Sequence, residues 1–158
     1  MSDLGSGTSS ASTKLIHGGL RYLRYFDFRL VRESLKEREV LLKNMPHICW
    51  PMRFVLPVPK AMLQKMVIRL GLFIYDNLGG RTILPGTTIV RTKKPSEKFI
   101  LKSKFSSAFV FSDCWVEDAR LVILNAVDAK KRGAHIVEDT KVINANRIDN
   151  YWKITLNN

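Results

Sequence analysis

Prolines divide the first half of this sequence into segments with different hydrophobic periods. Apolar residues recur at helical spacing over residues 27–44, where Asp27 can cap the helix and Pro46 ends the pattern. Residues 50–57 lie between prolines and are typical of a short strand, and residues 60–78 are again helical up to a Gly-Gly pair. Helices that alternate with short strands exclude a helical bundle and predict an α+β or α/β fold.

The second half predicts one further helix and several strands. This helix opens within residues 113–117 and runs to a basic end at residues 130–132, with Gly133 as its terminator. Extended segments are predicted at residues 109–112, 135–137, 141–148 and 151–156. The last two are joined by Asp149 and Asn150, a favourable two-residue turn for a β-hairpin.

The helix at residues 60–78 is apolar on almost every side, and Lys60, Lys65 and Arg69 form its polar edge. Such a helix is either deeply buried, which is the commoner case, or lies on a membrane surface. The sequence nowhere contains the roughly 18 consecutive apolar residues of a transmembrane helix. Its first residues lack the basic start and apolar run of a signal peptide, so we expect a cytoplasmic location.

The net charge of +12, from 26 Lys and Arg against 14 Asp and Glu, favours a polyanionic partner such as nucleic acid, anionic lipid or a phosphorylated ligand. Residues 91–104 are rich in lysine and typical of an exposed loop. A solvated charge run is the ordinary interpretation of that loop, and a phosphate or headgroup contact is the alternative. Cys49 and Cys114 have no CxxC spacing, so we expect two buried reduced thiols and no zinc site.

Residue types suited to ligand binding or catalysis are concentrated in the run GTSSASTKLIHGGLRY at residues 7–22. Small hydroxyl residues let a backbone approach phosphate or a nucleotide cofactor closely, and Lys14 adds a positive charge. A turn at Gly18–Gly19 separates His17, a residue type that exchanges protons near neutral pH, from Arg21, which can hold phosphate with two parallel donors. From the residues alone, a flexible tail followed by a helix with a packed histidine is the more ordinary interpretation.

No dinucleotide fingerprint GxGxxG, Walker loop, nucleophile elbow or paired-histidine metal motif occurs in the sequence. The run at residues 7–22 and the segments after it nevertheless closely resemble the FAD-dependent glycerol-3-phosphate dehydrogenases, which are quinone-linked respiratory flavoenzymes, and their oxidase relatives. The segments that match in order are residues 6–23, 28–43, 46–47, 50–57, 68–76, 78–81, 84–86 and 112–122. The stretch at residues 89–107 matches mainly in length.

This resemblance implies a fold class and a domain organisation. The fold is expected to be an α+β fragment of the FAD-binding α/β oxidoreductase fold of the glutathione-reductase/amino-acid-oxidase type, with a small mixed sheet and a C-terminal hairpin. Residues 1–158 would form a single partial domain. Its parts would be a flavin and substrate loop at 1–22, helices with inserted strands and a basic loop (89–107) at 23–132, and strands of the FAD domain at 133–158.

Family members begin with a Gly-rich FAD-binding unit, which this sequence lacks, and continue into a C-terminal part. The chain is therefore expected to be an internal fragment of the enzyme. FAD is the cofactor implied for the complete enzyme. By itself, the fragment is expected to hold little FAD and to be inactive.

The resemblance also implies site residues. Cofactor contacts are implied for Thr8, Ser9, Ser10, Ser12, Lys14 and Leu15. His17 would accept the hydroxyl proton while hydride leaves the substrate carbon for the flavin, and Arg21 and Tyr22 would bind the substrate phosphate. Arg53 and Asp113 also match family positions, and structural ion pairs are the simpler interpretation for both.

The implied function is oxidation of sn-glycerol 3-phosphate to dihydroxyacetone phosphate, with electrons passed to quinone. Implied partners are glycerol 3-phosphate, quinone, the remainder of the enzyme and the inner membrane face, where the protein would be peripheral. The alternative is a non-enzymatic basic module that binds nucleic acid or anionic membrane. Nucleic-acid binding is disfavoured because the aromatic residues fall in apolar runs and do not alternate with basic residues as stacking platforms do.

Overall fold

A computed structural model of the chain describes residues 3–58, 61–91, 105 and 107–157. The helices are α1 (Thr8–Ala11), a 3₁₀ helix (Leu20–Tyr25), α2 (Phe28–Asn44), α3 (Met62–Leu78) and α4 (Asp118–Lys131). The strands are β1 (Leu15–Ile16), β2 (Cys49–Pro57), β3 (Thr88–Arg91), β4 (Ser107–Val116), β5 (Lys141–Ile148) and β6 (Tyr151–Asn157). They belong to two compact units, Leu15–Val116 on the one hand and Met1–Lys14 with Glu117–Asn158 on the other.

Strand β4 is the centre of the sheet in the unit Leu15–Val116. It pairs with β2 along one edge, and with β1 and β3 along the other edge. Every pairing is antiparallel, for example Val55 with Val110 and Ile89 with Phe109. Almost every residue of β4 is buried, because the sheet pairs on both sides of it and helices pack on it.

The core of this unit lies where α2 and α3 meet the sheet. Val31 and Leu35 of α2 pack with Tyr75 of α3, and Leu72 of α3 packs with Phe109 of β4. Each of the aliphatic side chains in this group is at most 1% exposed. Burial of one such side chain stabilises the fold by about 1.5–3 kcal/mol. These contacts fix the positions of α2 and α3 against the sheet.

Helix α2 confirms the prediction from its cap and its period. The Asp27 side chain accepts a hydrogen bond from the Leu30 amide at 3.4 Å, and the helix ends at Asn44, two residues before Pro46. Strand β2 and helix α3 also confirm their predicted places, although residues 59 and 60 of the predicted helix lie outside the described residues.

Helix α3 departs from the expectation of deep burial. Within it, Leu72 and Tyr75 are buried. Its exposed apolar side chains, each at least 59% exposed, are Met62, Leu63, Met66, Val67, Leu70 and Phe73. Within the described part of the chain, none of the helices combines the length and apolarity needed to cross a membrane.

Three details of the predicted secondary structure are wrong. The strand at residues 109–112 extends to Ser107–Val116, so Asp113 lies in β4 and α4 begins only at Asp118. Residues 135–137 form no strand, because such a short segment finds no pairing partner among the described residues. The predicted basic loop starts instead with β3, whereas residues 92–104 and 106 lie outside the described residues.

The other unit contains α4 and a β-hairpin. Helix α4 ends just before Gly133, whose φ of +93° suits glycine at a helix terminus. Strands β5 and β6 pair around Asp149 and Asn150, as predicted. The α+β fold with a terminal hairpin is thus confirmed, and both sheets are antiparallel where a mixed sheet was expected. The division at residues 22 and 132 stays a prediction.

Cys49 and Cys114 are neighbours on β2 and β4, and both are free and buried as predicted. Burial raises the pKa of both thiols, that of Cys114 to about 12. Both side chains are therefore neutral at physiological pH and belong to the packing of the sheet.

Candidate active site

An open cleft of about 330 Å³ lies in the unit Leu15–Val116. It is lined by Leu15, His17, Gly19, Leu20, Arg21, Tyr22, Phe54, Phe111 and Asp113. The structure therefore brings together His17, Arg21 and Tyr22, which sequence analysis singled out for catalysis and phosphate binding. One wall is aromatic, since Phe54 and Phe111 stack across β2 and β4 with ring centroids 5.4 Å apart.

The turn at Gly18 and Gly19 sets the shape of this cleft. Gly19 has a φ of +70°, which favours glycine, and a Cβ on Gly18 would collide with the side chain of Leu35 in α2. The 3₁₀ helix starts directly after the turn, and the Tyr22 amide donates to the Gly19 carbonyl at 2.8 Å. His17 therefore precedes the turn and Arg21 follows it within one helical turn.

Side chains at the mouth of the cleft are available for a ligand. Arg21 and Tyr22 are exposed, Tyr22 by 47%, and within the described part of the chain the Arg21 guanidinium makes no hydrogen bond or ion pair. An arginine with unused parallel donors is the group that best matches a phosphate or carboxylate.

His17 has one nitrogen engaged. The Gly19 amide donates to His17 Nδ1 at 3.0 Å, and the neutral imidazole must then carry its proton on Nε2. In this geometry the ring can donate a hydrogen bond to a substrate oxygen through Nε2. It can take up a proton at Nδ1 once the Gly19 amide moves away.

A buried polar network lies behind the turn. The Gly18 amide donates to the Tyr75 hydroxyl at 2.6 Å, and that hydroxyl donates to Asp113 Oδ1 at 2.8 Å. Arg38 Nη1 donates to the same carboxylate oxygen at 2.5 Å and to the Ser112 carbonyl at 3.2 Å. Tyr75, Asp113 and Arg38 are between 2% and 4% exposed, so the network is closed to water.

Burial changes the protonation of this network. Burial raises the pKa of the Asp113 carboxyl above its ordinary value, and the Tyr75 hydroxyl and the Arg38 guanidinium oppose that rise. Burial, together with the neighbouring Asp113 charge, also raises the pKa of Tyr75. The phenol therefore keeps its proton and can donate it to Asp113.

Sequence analysis missed Arg38 and Tyr75 as members of this site. Arg38 falls on the apolar stripe of α2, at the spacing set by Val31, Leu35 and Leu42, and a single charge on a buried stripe is a usable signal. Nothing in the local pattern of α3 distinguishes Tyr75 from an ordinary core residue. The ion-pair interpretation of Asp113 is confirmed by its contact with Arg38.

Arg53 does not form the expected ion pair with any described residue. Among the described residues it contacts no carboxylate. Its guanidinium instead donates to the Pro85 and Gly86 carbonyls at 3.1 and 3.2 Å and to the Ser112 hydroxyl at 2.5 Å. Arg53 thus braces the segment before β3 against the sheet through neutral acceptors.

The predicted cofactor segment lies mostly in the other unit, where it is not a simple loop. Thr8–Ala11 forms one helical turn, and the Ser10 hydroxyl donates to the carbonyls of Ser6 and Gly7 at 2.7 and 2.8 Å. Leu15 lies in β1 and in the cleft.

Asp118 holds part of the cofactor segment. Lys14 Nζ lies 2.5 Å from Asp118 Oδ1 and 2.7 Å from the Ser9 carbonyl, and the Ser12 hydroxyl donates to Asp118 Oδ2. Burial alone would raise the pKa of Asp118, but the hydrogen bonds from Lys14 and Ser12 outweigh it and lower that pKa. Both donors are therefore committed within the unit.

Two other hydroxyls in this segment have no hydrogen-bond partner among the described residues. Thr8 and Ser9 make no side-chain hydrogen bond to any described residue, and the Thr8 side chain is exposed. Hydroxyl donors of this kind fit the diphosphate and ribityl oxygens of a flavin nucleotide. The donor set at Thr8 and Ser9 therefore fits FAD in chemical kind, and Ser12 and Lys14 would reach it only by leaving Asp118.

Comparison with known proteins identifies the family of the chain. The family model for FAD dependent oxidoreductases matches residues 1–157 of the chain. The chain therefore belongs to the FAD-dependent oxidoreductase family, as the sequence resemblance implied.

Three curated relatives are similar to the chain over nearly its whole length. The chain is 53% identical over 156 residues to D-erythritol 1-phosphate dehydrogenase of Brucella abortus, covering 99% of this chain and 31% of the relative. It is 52% identical over 154 residues to glycerol-3-phosphate dehydrogenase of Pseudomonas tolaasii, covering 98% and 29%. It is 51% identical over 150 residues to aerobic glycerol-3-phosphate dehydrogenase of Escherichia coli, covering 95% and 29%.

The chain thus spans about 30% of the length of these relatives. Membership of an oxidoreductase family over nearly the whole chain favours the enzymatic interpretation over the basic nucleic-acid-binding module.

Proposed function

We propose that this chain supplies substrate-side residues of an FAD-dependent dehydrogenase that oxidises sn-glycerol 3-phosphate to dihydroxyacetone phosphate. One observation carries the proposal: a single cleft contains His17, Arg21 and Tyr22, and the Arg21 guanidinium has no hydrogen-bond or ion-pair partner among the described residues. Similarity to enzymes named glycerol-3-phosphate dehydrogenase supports this choice of substrate.

Arg21 and Tyr22 are the proposed phosphate contacts. Arg21 would hold two phosphate oxygens through parallel N–H donors, and Tyr22, the next residue of the 3₁₀ helix, would add a phenolic donor in the same cleft. Substrate binding would then place the remaining carbons toward His17.

His17 is the proposed acceptor of the hydroxyl proton. As the substrate carbonyl forms, the C–H bond breaks with loss of hydride and the O–H bond breaks with loss of a proton. FAD, when bound, supplies the hydride acceptor. The imidazole takes the proton at Nδ1, and the Gly19 amide must release that atom first because it donates to it in this structure.

Cofactor contacts are proposed for Thr8, Ser9, Ser10, Ser12, Lys14 and Leu15. Among these residues, the Thr8 and Ser9 hydroxyls make no hydrogen bond to any described residue, which leaves them available to diphosphate and ribityl oxygens.

Peripheral attachment to the inner membrane face, with electrons passed to quinone, is also proposed. It is supported by the exposed apolar side chains of α3 together with Lys65 and Arg69. A helix with an exposed apolar face and basic residues beside it suits the interface of an anionic bilayer.

The D-erythritol 1-phosphate dehydrogenase relative supports a second candidate substrate, a four-carbon polyol phosphate. Both substrates share a phosphate and a secondary alcohol, so the same contacts would serve either.

A chimera tests both candidates: this chain replaces the matching segment of the Escherichia coli relative, which is 51% identical to it. Flavin reduction is followed anaerobically by stopped flow after mixing with glycerol 3-phosphate or with D-erythritol 1-phosphate. We expect reduction by glycerol 3-phosphate at a rate near that of the unmodified relative, and none with the chain alone. Preference for erythritol 1-phosphate would establish the second candidate, and reduction by neither would contradict the proposal.

A further inference from the structure

Tyr75 links the turn of the cleft to the buried core. Its hydroxyl has one proton and two acceptor positions. The Gly18 amide can only donate, so the hydroxyl accepts from Gly18 at 2.6 Å and gives its own proton to Asp113 at 2.8 Å. The direction of both hydrogen bonds is thereby fixed.

Asp113 is itself held in place. Arg38 approaches the carboxylate oxygen at 2.5 Å from α2, and its guanidinium also lies 5.7 Å from the centre of the Tyr75 ring. Phe111 contacts the same ring edge-on, with centroids 6.3 Å apart. The phenol can therefore neither rotate its ring nor redirect its proton without breaking buried contacts.

The Gly18 backbone packs closely against its surroundings. A Cβ on Gly18 would overlap the Leu35 side chain, so the Gly18 backbone lies directly on α2. Tyr75 is the side chain that satisfies the buried Gly18 amide. Loss of its hydroxyl would leave that amide without a partner, which is costly in a buried position.

The turn carries the side chains of the cleft. His17 directly precedes Gly18 and accepts from the Gly19 amide at 3.0 Å, and Arg21 lies in the 3₁₀ helix that follows. A shift of the Gly18 amide would move the imidazole and the guanidinium together.

We propose that Tyr75 is a positioning residue for this site: its hydroxyl fixes the Gly18 amide and, through it, the turn that carries His17 and Arg21. Asp113 and Arg38 orient that hydroxyl. The expected kinetic effect rests on the proposed function, whereas the expected effect on the Gly18 amide does not.

Tyr75→Phe in the chimera is the direct test, because phenylalanine keeps the ring packing and removes only the hydroxyl. Tyr151→Phe is the matched control, since it removes the same hydroxyl from an exposed tyrosine of β6 that does not line the cleft. Amide hydrogen exchange at Gly18 and the kinetics of flavin reduction are measured on the parent and both variants.

In Tyr75→Phe we expect Gly18 to exchange about tenfold faster or more, which corresponds to the loss of one buried hydrogen bond. We also expect kcat to fall and KM for glycerol 3-phosphate to rise, each about tenfold, because both cleft groups move. Tyr151→Phe should leave the Gly18 exchange rate and both constants within about twofold of the parent, because Tyr151 does not line the cleft.

Parent-like exchange at Gly18 in Tyr75→Phe would overturn the inference, and so would faster exchange with unchanged kinetics. If the parent chimera does not reduce its flavin, the proposed function fails and the exchange measurement alone decides whether Tyr75 holds the turn. Should Tyr75→Phe not fold, Asp113→Asn replaces it: we expect faster Gly18 exchange there too, and a parent-like rate would again overturn the inference.

Discussion

His17 and Arg21 lie on opposite sides of the Gly18–Gly19 turn, and this separation predicts different kinetic losses. Arg21→Ala in the chimera should mainly raise KM for glycerol 3-phosphate, by about 30-fold or more. Truncation of a charged contact to phosphate typically costs about 2–4 kcal/mol once bound substrate excludes water. Steady-state kinetics measures the change, and Arg24→Ala is the control, because Arg24 lies in the same 3₁₀ helix but outside the cleft. A similar rise in KM for both variants would contradict the assignment.

His17→Ala should instead lower kcat by roughly 10²–10⁴ while flavin remains bound, because a positioned general base contributes about that much. Single-turnover flavin reduction reports the chemical step directly. His47→Ala provides the comparison, since His47 is exposed and does not line the cleft. Flavin reduction at the parent rate in His17→Ala would place the base elsewhere and leave His17 a packing residue.

At the residue scale, sequence analysis predicts what a short run contains but not what long-range contacts assemble. His17, Arg21 and Tyr22 could be predicted to share a site because they lie within six residues of one another. Tyr75 joins them through a hydrogen bond across 57 positions of the chain. No local period encodes that contact, so only the fold reveals it.

Among the elements, α2 anchors the segment that leads to β3. Glu39 Oε2 accepts from the Thr82 amide at 3.0 Å, the Thr82 hydroxyl at 2.9 Å and the Ile83 amide at 3.0 Å. Burial alone would raise the pKa of Glu39, but these donors and the neighbouring Arg38 outweigh it, so the pKa lies below its ordinary value of 4.5.

This lowered pKa predicts a loss of stability in acid. The unfolded chain binds the Glu39 proton at a higher pH than the folded chain, so the stabilisation is complete above the ordinary value and is lost as the pH falls through the lowered pKa. We expect the free energy of unfolding to decrease from this source as the pH falls from about 5 through the lowered pKa of Glu39. Urea unfolding of the chain across this range measures it.

Glu39→Gln should remove this part of the pH dependence, whereas Glu37→Gln, an exposed position on the same helix, should retain it. Equal acid sensitivity in Glu39→Gln and the parent would contradict the role of the Glu39 carboxylate.

Helix α3 predicts attachment to anionic bilayers. Sedimentation of the chain with vesicles that contain phosphatidylglycerol should show binding that weakens with salt, because Lys65 and Arg69 lie beside the exposed apolar residues. Substitution of Leu63 and Phe73 by Ser should weaken the binding about tenfold or more, since it removes two large exposed apolar side chains.

Val142→Ser with Ile154→Ser is the matched control for that experiment. These residues are 56% and 53% exposed on the hairpin, so the control removes comparable apolar surface from β5 and β6. Equal losses in the two double variants would show that apolar exposure in general, and not α3, drives vesicle binding.

Helices and strands with a clear hydrophobic period or turn signal in the sequence were predictable. Strands that form only by pairing with another strand were not. Helices α2 and α3 and the terminal hairpin follow from caps, turns and apolar spacing. Strands β1 and β3 have two and four residues, too few to show a period, and they form because β4 offers a free edge. Residues 135–137 have similar propensity but find no such edge among the described residues.

For the whole molecule, order along the chain was more informative than composition. A net charge of +12 suits nucleic acid, lipid and phosphorylated ligands equally, so charge alone could not choose among them. Matching segments in the same order along the chain identified the oxidoreductase family, which the family comparison confirms. Pairing of Lys14 with Asp118 was not predictable, because ion pairs between distant positions leave no pattern in spacing.

The central position of β4 in the sheet has a consequence for folding of the chain during translation. Strands β1, β2 and β3 all precede β4 in the chain, and among the described residues they pair with β4 and not with one another. Translation at about 5–20 residues per second leaves β1 waiting several seconds for its partner. We therefore expect the sheet to form in one late step. Stalled nascent chains should stay sensitive to protease until residue 116 clears the exit tunnel. Protection of a nascent chain that stops at residue 91 would contradict this order. Arg38 and Tyr75 are synthesised before their hydrogen-bond partner Asp113, which lies in β4. The cleft can therefore form only after β4, the last strand of its sheet, has emerged.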